Sequence, residues 1–185
     1  MRKLIVSMMV SANGYIQGRD SGEHWHNWNT EMQEYMDDFL IGVDTFIYGR
    51  VAYEEMIAYW PNQIGEFAER MNEASKWVYS KSLSNVTWNT ELKREINPAE
   101  IFKAKSQVGK DIVIFGGSGI TQSFMAHGLV DEFRLIVNPL LLGKGKPYFQ
   151  GIDSTTRLNL KSATPFACGN VLLIYTPSYD YKANP

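Results

Sequence analysis

The sequence predicts an α/β domain built on a mixed, mostly parallel sheet, with helices on both faces and a C-terminal antiparallel strand pair. Three observations carry that reading. Short apolar runs, most of them β-branched or aromatic, alternate with amphipathic stretches along most of the chain, which is the order of βα units. The apolar runs are near-continuous rather than alternating, as suits strands covered on both faces. After residue 137 the alternation stops, and two strand-like runs flank the turn signal Cys168–Gly169, which predicts the closing pair.

The first strand is expected over Lys3–Val10, within MRKLIVSMMVSANG. Two cations followed by an apolar run look like a secretory leader. That run, however, is only about seven residues long and ends in a turn signal instead of a small-residue cleavage site. In NTEMQEYMDDFLIG, residues Met32, Tyr35, Met36, Phe39 and Leu40 fall at helical spacing and make one apolar face. Asn29 is the expected N-cap and Gly42 the expected stop. A strand over Thr45–Tyr48 follows, then a short helix in RVAYEEMIAYW closed by Pro61. QIGEFAERMNEASK reads as another helix, Trp77–Ser80 as a strand, and NPAEIFKAKSQVGK as a helix with Asn97 as cap and Pro98 at its first position. A strand over Asp111–Phe115 leads through a glycine turn into the helix of GITQSFMAHGLV, and Phe133–Val137 is the next strand. NPLLLGKGKPYF reads as a long loop, and TRLNLKSATPFA and NVLLIYTPS as the last two strands. One domain is expected over residues 1–178, with 179–185 as a flexible tail.

Composition excludes several classes. Net charge is −2, so no basic excess points to nucleic acid. No run approaches the roughly 18 apolar residues of a membrane span. Cys168 is the one cysteine, which rules out an internal disulfide and suits a reducing, cytoplasmic location; it reads as a buried or turn thiol. His24 and His26, two residues apart in EHWHNWN, do not make a metal site without further ligands. Trp25 and Trp28 in that segment suit stacking on a flat heterocycle, with structural packing or an oligomer contact as the competing reading.

Three strand ends offer anion-binding groups. VIFGGSGI, residues 113–120, is strand, glycine turn and helix start. It is not the dinucleotide fingerprint, because alignment at Gly117 places Gln122 at the third glycine, and no Walker lysine follows. It still presents free N–H groups and a positive dipole end, so ligand contact and simple turn geometry both stand. Arg50 follows Gly49 at the start of a helix, where a guanidinium beside unsatisfied N–H groups suits a phosphate. Ser80 and Lys81 end a third strand. In a parallel sheet all three open on one edge, where ligands usually bind.

These segments together resemble the dihydrofolate reductase-like superfamily. The closer branch is the reductase domain of the bifunctional riboflavin-biosynthesis deaminase/reductase and its stand-alone bacterial relatives. SANG, Ser11 to Gly14, looks like that branch's S-x-D-G. YGRVAYE looks like its G-R-x-T-Y-E, and VYSKSL like its strand ending in serine and a cation. FGGSGITQSFMAHGLVDEFRLIVNPLLLGKGKPYF looks like its double glycine followed by LVDE, a proline and G-x-G. The resemblance spans roughly residues 2–176 and implies a dihydrofolate reductase-like fold, NADPH as cofactor, and hydride transfer to a small pyrimidine- or pterin-like heterocycle. It implies phosphate contacts at Gly49, Arg50, Val51 and Ala52, proximity of Ser80 and Lys81 to the adenosine 2′-phosphate, and a pyrophosphate and nicotinamide seat at Gly116, Gly117, Ser118, Gly119 and Ile120. In relatives the two adjacent glycines can be joined by a cis peptide. Ser11, Asn13, Trp25 and Trp28 are the expected substrate contacts, and a homodimer is expected.

The sequence departs from the family pattern at Ala52, where the family has threonine, and at Asn13, where it has aspartate. Counting back from Gly49 to the carboxylate that faces the pterin in dihydrofolate reductases lands on Gln33. Glu31, Glu34, Asp37 and Asp38 lie nearby and read as a solvated helix face; Glu31 and Glu34, near the helix start, are the candidate acids that could still reach a pocket, and water or substrate can also supply the proton. The alternative reading is a nucleotide-binding module of the same fold with little catalysis.

Overall fold

The computed structural model describes residues 1–18, 25–152 and 155–179. These run β1 (Leu4–Ser11), β2 (Tyr15–Gly18), α1 (Thr30–Ile41), β3 (Val43–Gly49), α2 (Arg50–Tyr59), a 3₁₀ turn (Trp60–Asn62), α3 (Glu66–Glu73), β4 (Ser75–Tyr79), β5 (Thr90–Lys93), α4 (Pro98–Ser106), β6 (Asp111–Phe115), α5 (Ser118–Ala126), β7 (Glu132–Asn138), β8 (Gly145–Pro147), β9 (Arg157–Pro165) and β10 (Val171–Ser178). The main sheet has the order β5-β4-β3-β6-β1-β7-β10-β9. Every neighbouring pair from β5 to β7 is parallel. β10 is antiparallel to both its neighbours, so the chain ends in the expected antiparallel pair.

The alternation of side chains along each strand builds two cores. Ile5, Phe46, Tyr48 and Val113 point to the face covered by α1, α2 and α3. Leu4, Val6, Ile47, Ile112 and Ile114 point to the face covered by α4 and α5. The central strands are apolar throughout because both faces are buried. The helix ends follow their capping chemistry. Asn29 accepts from the Met32 N–H at 3.0 Å, and Asn97 accepts from the Ala99 N–H at 3.0 Å with Pro98 behind it. Gly42 ends α1, but at φ −85°, outside the left-handed region. Pro61 lies inside the 3₁₀ turn that extends α2.

Two polar networks anchor this arrangement. The LVDE segment is structural: Asp131 accepts from the Leu4 N–H at 2.7 Å and pairs with the buried Lys105 at 2.6 Å. Glu132 pairs with Lys3 at 2.8 Å and Arg134 at 2.7 Å. Burial alone would raise the Glu132 carboxyl, yet the hydrogen bonds from Lys3 and Arg134 outweigh it and leave it below the ordinary range. On the opposite flank, fully buried Lys76 donates to the carbonyls of Asn72 at 2.8 Å and Ala74 at 2.7 Å, with its ammonium 4.1 Å over the Trp88 ring.

β2, β5 and β8 go beyond the strands the sequence predicts. β2 and β8 form a separate two-stranded antiparallel sheet. Gly145 is required there, because a Cβ at that position would lie 1.8 Å from the Gln17 carbonyl oxygen. Among the described residues, no helix is long and apolar enough to cross a membrane.

Candidate functional site

Strands β4, β3 and β6 lie side by side and parallel, so the segments at Ser80, Gly49 and Gly116 leave the sheet at one edge. The last two junctions touch. A Cβ on Gly116 would meet the Ala52 Cβ at 3.6 Å, and one on Gly49 would meet the Ile120 Cβ at 3.6 Å. Gly116 and Gly117 both have positive φ, +100° and +82°, a conformation L side chains rarely adopt. The peptide between them is trans, since no cis bond occurs among the described residues. Helix α5 begins at Ser118 and α2 at Arg50, both without a side-chain cap, so their first N–H groups face outward. Space over Gly119 is open, while Ser118 and Ile120 are buried.

The cations at this edge are partly engaged. Arg50 is exposed and pairs with Glu54 one turn along α2 at 2.7 Å. Buried Ser80 accepts from the Ser82 and Leu83 N–H groups at 3.2 and 3.1 Å, shaping the turn that carries exposed Lys81. Arg94 adds a guanidinium beside this turn, donating to the carbonyls of Ser80 at 2.9 Å and Leu83 at 2.6 Å. Sequence reasoning missed Arg94 because it follows β5, a short polar strand with no periodic signal.

Beside the glycine turn lies a cavity of about 990 Å³. Its walls come from Ser7, Met8 and Met9 of β1, Phe115 and Gly116 at the end of β6, Trp28, the α1 residues Gln33, Met36 and Asp37, and the stretch from Met56 to Ala68 that includes Tyr59, Trp60 and Phe67. Gly116 is the residue shared by the cavity and the expected cofactor seat.

Glu31 and Glu34 do not line this cavity. The Glu31 carboxylate accepts from the Ala167 N–H at 2.7 Å, and Glu34 is exposed. Asp37 does line it. Its Oδ2 accepts from the Gln33 amide at 3.1 Å, and Gln33 Oε1 accepts from the Trp28 indole N–H at 3.0 Å. Asp37 Oδ1 is buried and has no hydrogen-bond partner. Gln33 and Asp37 are one turn apart and flank the apolar face of Met32, Met36, Phe39 and Leu40. The spacing i, i+4 from Gln33 was the signal that could have found the acid.

Trp28 lines the cavity, as does His26, whose ring packs 4.1 Å from that of Trp25. This segment is pinned from below. The Asn27 N–H donates to buried Asn138 at 2.9 Å, its amide to the Cys168 carbonyl at 3.0 Å, and Asn170 donates to the Asn27 carbonyl at 2.9 Å. Cys168 is a half-buried free thiol in that turn. His24 lies outside the described residues. Ser11 and Asn13 lie away from the cavity walls. Ser11 donates to Asn13 at 2.7 Å, and Asn13 exchanges hydrogen bonds with the Leu142 backbone at 2.8 and 3.1 Å, tying the β1 turn to the loop after β7. No group of three or more potential metal ligands is assembled among the described residues. The result is a cavity whose wall combines an acidic residue with apolar and aromatic ones, beside a turn with open backbone donors.

Residues 2–172 match the family model described as RibD C-terminal domain. The uncharacterized protein YyaP of Bacillus subtilis (strain 168) is 32% identical over 181 residues, covering 94% of each chain. A solved structure from Shewanella sp. PV-4, of a protein ascribed to riboflavin biosynthesis, superposes with a TM-score of 0.74 at 19% identity, over 95% of this chain and 99% of that one. The deaminase/reductase of Thermotoga maritima, a diaminohydroxyphosphoribosylaminopyrimidine deaminase and 5-amino-6-(5-phosphoribosylamino)uracil reductase, superposes with a TM-score of 0.66 at 11% identity. That match covers 96% of this chain and 57% of the Thermotoga chain.

Proposed function

The chain belongs to the RibD C-terminal domain family, and from that premise we propose that it is an NADPH-dependent oxidoreductase that reduces a small pyrimidine- or pterin-like heterocycle. The observation that carries the reading is the shared position of Gly116, at once part of the glycine turn and part of the wall of a cavity that the carboxylic acid Asp37 also lines.

The residues at the sheet edge suit a dinucleotide phosphate. Gly49, Arg50, Val51 and Ala52 offer the uncapped start of α2. Gly117, Ser118, Gly119 and Ile120 offer that of α5, with open space over Gly119. Lys81 on the Ser80 turn and Arg94 beside it are the cations for a 2′-phosphate. The missing threonine hydroxyl at Ala52 removes one contact and leaves the backbone donors. NADPH, when bound, supplies the hydride. Gly116 brings the nicotinamide seat to the cavity mouth, and the Met8, Met9 and Phe115 walls exclude water from the reacting face. The Asp37 carboxylate, oriented by the Gln33 amide on Oδ2, is the group that would exchange a proton or accept an N–H from the substrate. A cytoplasmic homodimer is part of the same reading.

A fluorescence titration tests the cofactor. Tighter binding of NADPH than of NADH, weakened in Arg50→Ala and Lys81→Ala, is the expected outcome. No binding of either dinucleotide would overturn the assignment. The rival, a binding module without catalysis, predicts tight NADPH binding with no oxidation on any pterin or pyrimidine.

A further inference from the structure

Resting on the reductase reading, we infer that Asn138 and Asn170 are positioning residues for the substrate: they act through Asn27 to hold Trp28 in the cavity wall as a preformed face for a flat ring. Trp28 lines the cavity, yet it is 46% exposed, so packing alone does not fix it. The segment from Trp25 to Asn29 belongs to no strand or helix and so has no ladder of backbone bonds to hold it. Its burial alternates residue by residue: Trp25, Asn27 and Asn29 are half-buried, and His26 and Trp28 are exposed. Neighbouring side chains of an extended chain point to opposite sides. An inward Asn27 therefore sets Trp28 outward, on the cavity side.

Asn27 is gripped at three points. Its N–H donates to Asn138 Oδ1 at 2.9 Å, its carbonyl accepts from the Asn170 amide at 2.9 Å, and its own amide donates to the Cys168 carbonyl at 3.0 Å. Asn138 and Asn170 are fully buried. Asn138 is itself oriented at the end of β7, where its amide donates to the Ile136 carbonyl at 3.2 Å. Asn170 keeps a buried Oδ1 with no partner. A buried amide is costlier than an apolar side chain unless all its groups are paired, so packing does not by itself favour asparagine at this turn. Both side chains instead reach the backbone of one residue, 111 and 143 positions away in sequence. The same hairpin turn also holds the start of α1, where Glu31 accepts from the Ala167 N–H at 2.7 Å. Trp28 is thereby fixed on both sides, and its indole N–H, donating to Gln33 at 3.0 Å, fixes the far end of the ring. A face ordered before binding spares the substrate the cost of ordering it. Without the clamp that cost appears as lost substrate affinity, while the cofactor seat at the other strand ends is untouched.

The test uses the full chain labelled with 5-fluorotryptophan, with the Trp28 fluorine resonance identified by its loss in Trp28→Phe. Pterin is the binding probe, read by calorimetry, with an NADPH titration alongside. In Asn138→Ala and Asn170→Ala the Trp28 line is expected to move toward its position in the unfolded chain, while the lines of Trp60, Trp77 and Trp88 stay in place. The pterin Kd should rise about tenfold in each variant, as in Trp28→Ala, with the NADPH Kd unchanged. Asn170→Ala combined with Trp28→Ala should bind pterin no more weakly than Trp28→Ala alone, because the clamp acts only through that ring. Asn27→Ala keeps both backbone bonds and should give a smaller shift of the same kind, which decides the matter if Asn138→Ala does not fold. An unmoved Trp28 line in the folded variants, additive losses in the double variant, or pterin binding no tighter to the unchanged protein than to Trp28→Ala would each overturn the inference. With NADPH binding intact, these results leave the reductase reading standing. Failure of the unchanged protein to bind NADPH strikes that reading itself.

Discussion

Asp37 differs from the other acids of α1 in what surrounds it. Glu31 is occupied by a backbone N–H and Glu34 faces solvent, but Asp37 sits one turn beyond Gln33, lines the cavity and has one buried oxygen without a partner. Asp37→Asn keeps the shape and the Gln33 contact and removes the proton. In the unchanged enzyme's substrate assay it should lower kcat by about 10²-fold or more and leave the NADPH Kd and the melting temperature in place. A purely structural role would move the melting temperature instead. Lys76 shows the opposite case, a charge used for structure. Its two carbonyl acceptors would be left without a donor in Lys76→Met, which should cost about 1–3 kcal/mol in urea unfolding. Burial pulls its pKa from the ordinary 10.5 to about 8. Between those values the unfolded chain holds more protons than the folded one, so stability rises with pH across that window and is flat below it. The urea midpoint should therefore be higher near pH 9.5 than near pH 7.5, and the difference should shrink in Lys76→Met.

At the scale of elements, the β6–α5 junction is the part most open to a decisive change. Gly117 has φ +82°, and a Cβ there would meet Ile120 Cγ2 at 3.2 Å. Gly117→Ala should destabilise the fold by about 1–2 kcal/mol, measured by thermal melting, and weaken NADPH binding by displacing the first N–H groups of α5. This junction was readable in advance, with β6 falling on Asp111–Phe115 as expected. The reason is physical: apolar runs, Asn caps and double glycines are local signals. β2, β5 and β8 carry no such signal. The residues of β8, Gly145 to Pro147, read as a loop because glycine and proline usually do, and only contact with β2 makes them a strand. The position of Asp37 on the cavity likewise depends on how α1 rotates against β1 and β7. That rotation is set by packing; counting along the chain reaches Gln33, and the i, i+4 spacing from it points to Asp37 only once that packing is known.

For the whole molecule, the sheet is protected unevenly. Its β9 edge is almost entirely exposed, with Leu158 and Leu160 among the exposed apolar side chains. Unpaired strand edges of this length invite a partner, which is the basis for expecting a homodimer built on β9. Light scattering after gel filtration should give twice the chain mass, and Leu160→Lys should return it to the mass of one chain with the melting curve of a folded protein. A second consequence follows from β1 lying at the centre of the sheet between β6 and β7. Both of its neighbours are made late, over residues 111–115 and 132–138. During synthesis β1 therefore leaves the ribosome on the order of ten seconds before its last partner strand exists. Until then it is an apolar segment with no partner on either side, the kind of transiently exposed surface that makes a nascent chain prone to aggregate, and slower synthesis should lengthen that exposure, measurably in the soluble yield.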